Sequence, residues 1–400
     1  MHRRINMDMK KTIAALAALV MFAACGADKP ADNGSAVQTI SLESKTEAAA
    51  VSDRFTDNVK PLGRTYTDDN GMWMFFSGTG AAFSFEGKSC RITIKGDSTA
   101  LTGSDENRAR VGVYVDGERV ADVMIDEREK VITAVEEDIS AVHEVRVVKL
   151  SESANSVCGI GDIECDGDIL PASEKELKIE FIGDSITCGY GVDDLDRSHH
   201  FATSTEDCTK AYAIKTAELL DADYSLVSMS GWGIISGYSD GKTQQKNQVI
   251  PKIYDLAGYS YGNFSDGMQP QSIEWDSTAF EPDVVVINLG TNDNSWTKQE
   301  EERLFDFTDS YVEFVKHIRE EHPDAYIVCS LGIMGADLYP FIEYAINDQY
   351  IPESGDEKIA CLRFDTQVEA DGIAADWHPS EATHTKAAQK LADFIKEKIG

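Results

Sequence analysis

Apolar and polar residues alternate along the chain between about residues 53 and 172, a pattern typical of half-buried β-strands. Val111, Val113 and Val115 lie on one side of such a strand, and Asp116-Gly117 then favours a tight hairpin turn. Comparable stripes occur at Phe83 and Phe85, at Cys90, Ile92 and Ile94, at Val120, Val123 and Ile125, and at Val145, Val147 and Leu150. The pattern predicts an all-β domain over 53–172, built as a jelly-roll-like sandwich.

After residue 172 the pattern changes, because short apolar runs begin to alternate with segments of helical period. One stripe, Leu304, Phe307, Tyr311, Phe314 and Ile318, predicts a helix of about two dozen residues that ends before Pro323. Strands are predicted at Leu177–Ile182, Tyr224–Met229, Val284–Leu289, Tyr326–Leu331 and Ile359–Phe364, and further helices at Thr209–Leu220, Phe341–Ile346 and Ala387–Ile395. The order predicts an α/β domain over 173–400, a parallel sheet covered by helices on both faces.

The first 24 residues have the pattern of a targeting segment. Basic residues precede an apolar run over 12–24, which is too short to span a membrane and ends in Phe22-Ala23-Ala24-Cys25. Small residues before a cysteine resemble a bacterial lipobox, so Cys25 is the predicted lipidation site; an ordinary signal peptide is the alternative. Residues 25–52 then form a predicted flexible linker. We therefore expect an exported lipoprotein, membrane-anchored through its lipid in the periplasm or at the cell surface.

Charge and cysteine content narrow the possible functions. The chain has 70 acidic and 37 basic residues, a net charge of −33, so phosphate backbones would repel it and nucleic-acid binding is excluded. Eight cysteines leave an odd number if Cys25 is lipidated. Cys158 and Cys165 are close enough in sequence for a short-loop disulfide. No CxxC or HExxH pattern occurs, so the sequence indicates neither a metal nor an organic cofactor.

Chemically useful residues follow the predicted strands of the α/β half in order. Gly183-Asp184-Ser185 follows the first strand, Ser230-Gly231-Trp232-Gly233 the second and Asn292 the third, while Asp376-Trp377-His378 precedes the last helix. The carboxyl ends of parallel strands are where open α/β sheets bind ligands. Acyl transfer needs a nucleophile, a base, a group that orients the base, and donors for an oxyanion, and these residue types supply all four.

The four blocks resemble those of the SGNH hydrolase superfamily, and the closer resemblance is to carbohydrate esterase family 2. Three features support that likeness: a β-rich domain before the catalytic half, the short Asp-x-His spacing and the intervening Trp377. The sequence Pro61-Leu62-Gly63-Arg64 near the start of the β half also resembles the family. The resemblance implies an SGNH-type three-layer α/β/α domain. It also implies Ser185 as nucleophile, His378 as base and Asp376 as the orienting acid.

The same blocks supply candidate donors for the oxyanion. The backbone N–H groups of Ser185 and Gly233 and the side-chain amide of Asn292 are expected to hold it. Gly231 remains an alternative to Gly233, because Ser-Gly-Trp-Gly can be aligned in two ways.

Other residues near these blocks have candidate roles. Trp232, Trp296 and Trp377 could stack on sugar rings or could only pack the loops. Asp184 and Asp293 are interpreted as structural carboxylates that accept backbone N–H bonds. Glu206 is a candidate for ordering the loop after the nucleophile helix.

The function predicted from these observations is a metal-free serine esterase that removes O-acetyl groups from a polysaccharide or oligosaccharide such as acetylated xylan or mannan. One alternative is an SGNH lipase, thioesterase or acyltransferase acting on another acyl group. Another is a carbohydrate-binding surface lipoprotein with an inactive hydrolase half, which the intact Ser185, Asn292 and His378 argue against. The expected partner is an acetylated carbohydrate, with membrane contact only through the lipid.

Overall fold

The computed structural model describes residue 55 and residues 57–400. The predicted leader 1–24 and the whole predicted linker 25–52, with Cys25, lie outside the described residues. In the described part of the chain, no helix combines the length and the apolar character needed to cross a membrane.

The first half consists of antiparallel strands, as the alternating pattern predicted. Among the described residues of this half there are nine strands; seven of them hydrogen-bond in the order β2-β3-β8-β4-β7-β5-β6, and β1 and β9 both pair with β4. The elements are β1 Lys60–Leu62, β2 Thr65–Asp68, β3 Gly71–Met74, β4 Gly80–Gly96, α1 Ser98–Thr102, β5 Arg110–Val115, β6 Glu118–Met124, β7 Glu129–Lys149, β8 Cys158–Cys165 and β9 Ile169–Leu170. Asp116 and Gly117, both at positive φ, form the predicted turn between β5 and β6.

The long strands β4 and β7 enclose the core of this half. They pair with each other along most of their length, with register shifts between Gly87 and Ser89 and between Cys90 and Arg91. Because register shifts bend a strand, the hydrogen-bonded sheet is continuous as it folds over the core. Most of the predicted stripes face inward, since Phe83, Phe85, Ile92, Ile94, Val111, Val113, Val145 and Val147 are fully buried in one cluster. The stripe on β6 does not, because Val120 is exposed.

The suggested bridge between Cys158 and Cys165 is wrong. The two residues begin and end the same strand, β8. At a rise of about 3.3 Å per residue they lie roughly 23 Å apart, far beyond the reach of a disulfide. Cys165 instead lies directly opposite Cys90 on β4.

The second half is the predicted α/β domain, with a five-stranded parallel sheet in the order β11-β10-β12-β13-β14. Its elements are β10 Leu177–Gly183, α2 Ser185–Cys188, α3 Tyr212–Leu219, β11 Ala222–Ser228, β12 Val284–Asn288, α4 Thr291–Thr297, α5 Glu301–Glu321, β13 Tyr326–Ile333, α6 Tyr339–Tyr344, a π-helix Ala345–Tyr350, α7 Ile351–Ser354, β14 Ile359–Thr366 and α8 Glu381–Ile399. The α5 stripe is buried against one face of the sheet, and Leu391 of α8 packs on the other. The three-layer prediction is confirmed.

Charged side chains join the two halves. Arg64 is fully buried and pairs with Glu180 of β10 at 3.1 Å, and its guanidinium also donates to the Tyr254 carbonyl. Arg110 pairs with Asp193 at 2.8 Å and Arg119 with Asp207 at 2.8 Å. These contacts hold the β half against β10 and against the segment between α2 and α3.

Candidate active site

The turn from β10 into α2 presents Ser185 at the edge of the sheet. A side chain at Gly183 would place its Cβ 2.0 Å from Thr187 Oγ1, so only glycine permits this tight turn. Asp184 caps α2 by accepting the Ile186 N–H at 3.0 Å, the structural role expected of it. Its burial raises the pKa of the Asp184 carboxyl to about 7.

Ser185 and His378 are in direct hydrogen-bond contact. Ser185 Oγ lies 2.8 Å from His378 Nε2, although 193 residues separate them in sequence. His378 Nδ1 lies 3.1 Å from the Ala375 carbonyl, and since a carbonyl only accepts, Nδ1 carries the proton and Nε2 is free to accept one from serine. Burial lowers the pKa of His378 to about 4, with the Ala375 carbonyl and Asp376 acting in the opposite direction. The base is therefore neutral at physiological pH.

The expectation that Asp376 orients His378 does not match the observed geometry. Its carboxylate accepts from the Tyr190 hydroxyl through one oxygen and lies 2.8 Å from His200 Nδ1 through the other. The cause is local backbone shape, because Asp376 and Trp377 have φ values of 49° and 66°. This left-handed turn directs the Ala375 carbonyl toward the imidazole and the Asp376 side chain away from Nδ1.

Tyr190 contacts both Asp376 and the imidazole, and so links them indirectly. Its ring stacks on the His378 ring, with centroids 3.8 Å apart and planes 16° apart. Burial and the neighbouring Asp376 carboxylate raise the pKa of the Tyr190 hydroxyl, so it remains a donor. The sequence analysis missed Tyr190 and the Ala375 carbonyl, and no local pattern distinguishes either.

Asn292 lies in the first turn of α4, with its side chain buried beside the nucleophile turn. Its Nδ2 donates to the Trp232 carbonyl at 2.8 Å and to Asp184 Oδ2 at 3.2 Å. The structure therefore brings Asn292 to the same edge as Ser185. Both amide protons have acceptors in the protein.

The structure corrects the choice of Gly233 as an oxyanion donor. Its N–H donates to the Gln248 carbonyl at 3.2 Å, and a Cβ there would lie 2.4 Å from the Asp293 carboxylate. Gly233 is thus needed for packing against Asp293, which accepts the N–H groups of Ile234, Ile235 and Ser236, as expected of a structural carboxylate. Gly231 has φ +80°, and the space that a Cβ would enter is open. The alternative alignment fits the geometry better.

The three tryptophans have different environments. Trp232 is 2% exposed and packs edge-on against Tyr259 within the core, so the idea that it contacts substrate is wrong. Trp296 is half-buried, and the Arg303 guanidinium lies 3.7 Å from its ring centroid. Trp377 is 56% exposed next to His378, with Arg197 over its ring at 4.5 Å. Trp377 has the exposure that a sugar-stacking surface requires.

A buried charged cluster lies beneath the nucleophile helix, and sequence reasoning found only one member of it. Glu206 is fully buried and accepts the Glu152 N–H at 2.8 Å, while Glu152 accepts the Ser230 N–H at 2.9 Å. Potential ligand atoms of Glu152, Cys188 and Glu206 lie within 4.8 Å of one another. Glu152 belongs to the β half, and nothing in its local sequence indicates a contact with residues 54 and 78 positions away.

The parallel sheet and the Ser185, His378 and Asn292 side chains at its edge define an ester hydrolase of the SGNH type. The GDSL-like lipase/acylhydrolase family matches residues 181–386, and the N-terminal domain of carbohydrate esterase 2 matches residues 62–172. The chain belongs to the GDSL-like family and, by its domain arrangement, to carbohydrate esterase family 2; it is a carboxylic ester hydrolase.

Several named esterases and one solved esterase structure are similar to this chain. The cellulase/esterase CelE of Acetivibrio thermocellus is 31% identical over 84% of this chain, which spans 39% of that protein's length. An acetylxylan esterase / glucomannan deacetylase of Cellvibrio japonicus is 26% identical over 90% of this chain and 93% of its own. The structure of a family two carbohydrate esterase from Clostridium thermocellum in complex with cellohexaose has a TM-score of 0.74 and 28% identity, covering 86% of this chain and 99% of that one.

Proposed function

We propose that this esterase removes O-acetyl groups from a polysaccharide or oligosaccharide, with acetylated xylan or mannan as the substrate class. One observation carries the mechanism: Ser185 Oγ lies 2.8 Å from an imidazole nitrogen whose tautomer is fixed by a backbone carbonyl. The relative named acetylxylan esterase / glucomannan deacetylase and the related structure with cellohexaose support the choice of glycan.

In the first half-reaction, Ser185 Oγ attacks the acetyl carbonyl while His378 Nε2 takes the hydroxyl proton. The imidazolium then gives that proton to the sugar oxygen as its bond to the acetyl carbon breaks, which releases the sugar hydroxyl and leaves an acetyl-serine. In the second half-reaction, His378 takes a proton from water, which attacks the acetyl-serine. Acetate leaves, and the proton returns to Ser185 Oγ.

The Ala375 carbonyl keeps Nδ1 protonated throughout, the part that a triad carboxylate plays elsewhere. Asp376 contributes a nearby negative charge that favours the imidazolium, and Tyr190 covers one face of the ring. The mechanism is therefore a Ser–His pair with a backbone acceptor and an auxiliary carboxylate.

The oxyanion is held by the N–H groups of Ser185 and Gly231 and by the Asn292 amide. The longer of the two Asn292 contacts, 3.2 Å to Asp184, is the one we expect to be exchanged for the oxyanion. Trp377, exposed beside the base, supplies an apolar face for a sugar ring.

Acetate release from acetylated xylan, glucomannan and cello-oligosaccharides, with wild type and Ser185→Ala, tests the function. We expect release by wild type alone, and labelling of Ser185 by a serine-directed phosphonate. Activity on nitrophenyl esters of increasing acyl-chain length distinguishes a deacetylase from a lipase or thioesterase, because a deacetylase should strongly prefer the acetyl ester. Equal activity on long acyl chains, or labelling of another residue, would contradict the proposal.

We also propose that the protein is exported and anchored through a lipid on Cys25, on the strength of the apolar run and the Ala23-Ala24-Cys25 sequence. Labelling of cells with a fatty-acid analogue should mark the wild-type protein but not Cys25→Ser. A labelled Cys25→Ser protein would contradict the anchor.

A further inference from the structure

The loop after β7 places a carboxylate of the β half under the catalytic edge of the other half. Glu152 is 3% exposed, and one of its oxygens accepts the Ser230 N–H at 2.9 Å. Ser230 immediately precedes Gly231, so this bond fixes the peptide unit next to the proposed oxyanion donor.

Neighbouring groups fix the position of Glu152 in turn. Its own N–H donates to Glu206 at 2.8 Å, and its carbonyl accepts from Lys149 Nζ at 2.8 Å. Lys149 and Glu206 are both fully buried, and the lysine also donates to the Ser151 carbonyl. Backbone and side chain of Glu152 are therefore both held, which leaves its carboxylate little freedom to move.

The cluster combines one basic and two acidic side chains in a site that excludes solvent. Burial raises the pKa values of Glu152 and Glu206 and lowers that of Lys149, while the opposite charges act against these shifts. Lys149 is tied to the cluster through its Nζ bonds to the Ser151 and Glu152 carbonyls.

We propose that Glu152 is a positioning residue that aligns the Ser230–Gly231 peptide so that the Gly231 N–H faces the developing oxyanion. The inference rests on the proposed function, since it takes Gly231 as an oxyanion donor. It assigns the β half a part in the reaction, because this half supplies the acceptor that holds the catalytic loop. Glu152 acts through Gly231 and does not touch substrate.

The test compares three variants by hydrolysis of 4-nitrophenyl acetate. Glu152→Ala removes the acceptor and should lower kcat about 10²-fold with little change in KM, the usual result of losing one oxyanion donor. Glu152→Gln keeps an acceptor oxygen at the same reach and should stay within about tenfold of wild type. Glu152→Asp retracts the carboxylate by about one C–C bond, and we expect a loss between the two. If Glu152→Ala does not fold, Glu152→Asp decides the question.

Lys60→Met is the matched control, because Lys60 joins the halves through Asp223 at 2.6 Å without touching the catalytic loop. It should keep kcat within about threefold of wild type. If Glu152 were merely structural, Glu152→Ala would behave like Lys60→Met: stability would fall, and kcat of the folded protein would be unchanged. Inactivation by a phosphonate, whose oxygen enters the oxyanion site, should slow in parallel with kcat only if Glu152 aligns that site.

Hydrolysis of 4-nitrophenyl acetate tests this inference independently of the choice of glycan. Even if the protein did not act on acetylated glycans, the kcat values of the variants on this ester would show whether Glu152 aligns the catalytic loop. Unchanged kcat in Glu152→Ala, equal losses in Glu152→Ala and Glu152→Gln, or a rise in KM alone would overturn the inference. Activity lost to EDTA and restored by Zn²⁺ would also overturn it, since the glutamates and Cys188 would then hold a cation.

Discussion

Replacing Asp376 with Asn separates an auxiliary carboxylate from a true triad member. The substitution suits the site, because Asp376 has φ 49° and Asn tolerates left-handed backbone at least as well as Asp. Removing a triad aspartate elsewhere costs about 10⁴ in kcat, because the imidazole then adopts the wrong tautomer. Here the Ala375 carbonyl accepts from Nδ1 and remains in the variant.

The loss should therefore be limited to the through-space effect of one negative charge. One negative charge acting through partly solvated protein is worth on the order of 1 kcal/mol, which corresponds to a fall of roughly tenfold or less in kcat/KM. Asp376 raises the pKa of His378, so its removal should also move the acidic limb of the pH profile to lower pH. His378→Ala should cost far more than tenfold, since it removes the acid and the base of both steps.

The assay is kcat/KM for an acetyl ester between pH 4 and 9, for wild type, Asp376→Asn and His378→Ala, with circular dichroism to confirm folding. Tyr190→Phe is the control, since it keeps the stacked ring and removes only the hydroxyl that binds Asp376. A loss of a thousandfold or more in Asp376→Asn would show that the carboxylate turns to Nδ1 during catalysis, and would refute the reasoning.

Three further outcomes follow from the geometry. Asn292→Ala should lower kcat by roughly 10²–10³ with KM nearly unchanged, measured by steady-state kinetics on an acetyl ester; a change confined to KM would assign the amide to ground-state binding. Because burial lowers the pKa of His378 to about 4, the base stays neutral down to that range, and kcat/KM of wild type should fall only below about pH 5; a limb near 6.5 would contradict this. Oxidised glutathione should accept two electrons and two protons from the facing thiols of Cys90 and Cys165, giving a disulfide that peptide mapping detects, and a bridge involving Cys158 would contradict the register.

The order of elements could be predicted because it depends on local periodicity. The Leu304-to-Ile318 stripe is buried along α5, and the strand from Val284 is buried at every position, as a central parallel strand requires. Ser185 and Asn292 could be placed for the same reason, since each follows the carboxyl end of a strand. They lie at the same edge of the sheet because its strands are parallel, so that the carboxyl ends of the strands meet there.

The remaining details depend on contacts between distant residues. Gly231 and Gly233 are equivalent in the sequence, and the choice between them depends on the Gln248 carbonyl, which occupies the Gly233 N–H. The direction of the Asp376 side chain depends on two consecutive left-handed residues, a conformation that neither Asp nor Trp specifies. Local patterns therefore identified the reacting groups, and tertiary contacts determined which atoms face one another.

The charged interface makes the two halves energetically dependent on each other. Arg64 and Glu180 are each 1% exposed, and removing one partner of such a pair typically costs about 3–5 kcal/mol. A domain's whole stability is only about 5–15 kcal/mol, so the loss of one partner is a large fraction of it. Glu152 extends this dependence to the catalytic edge, because its bond to Ser230 joins the same two halves.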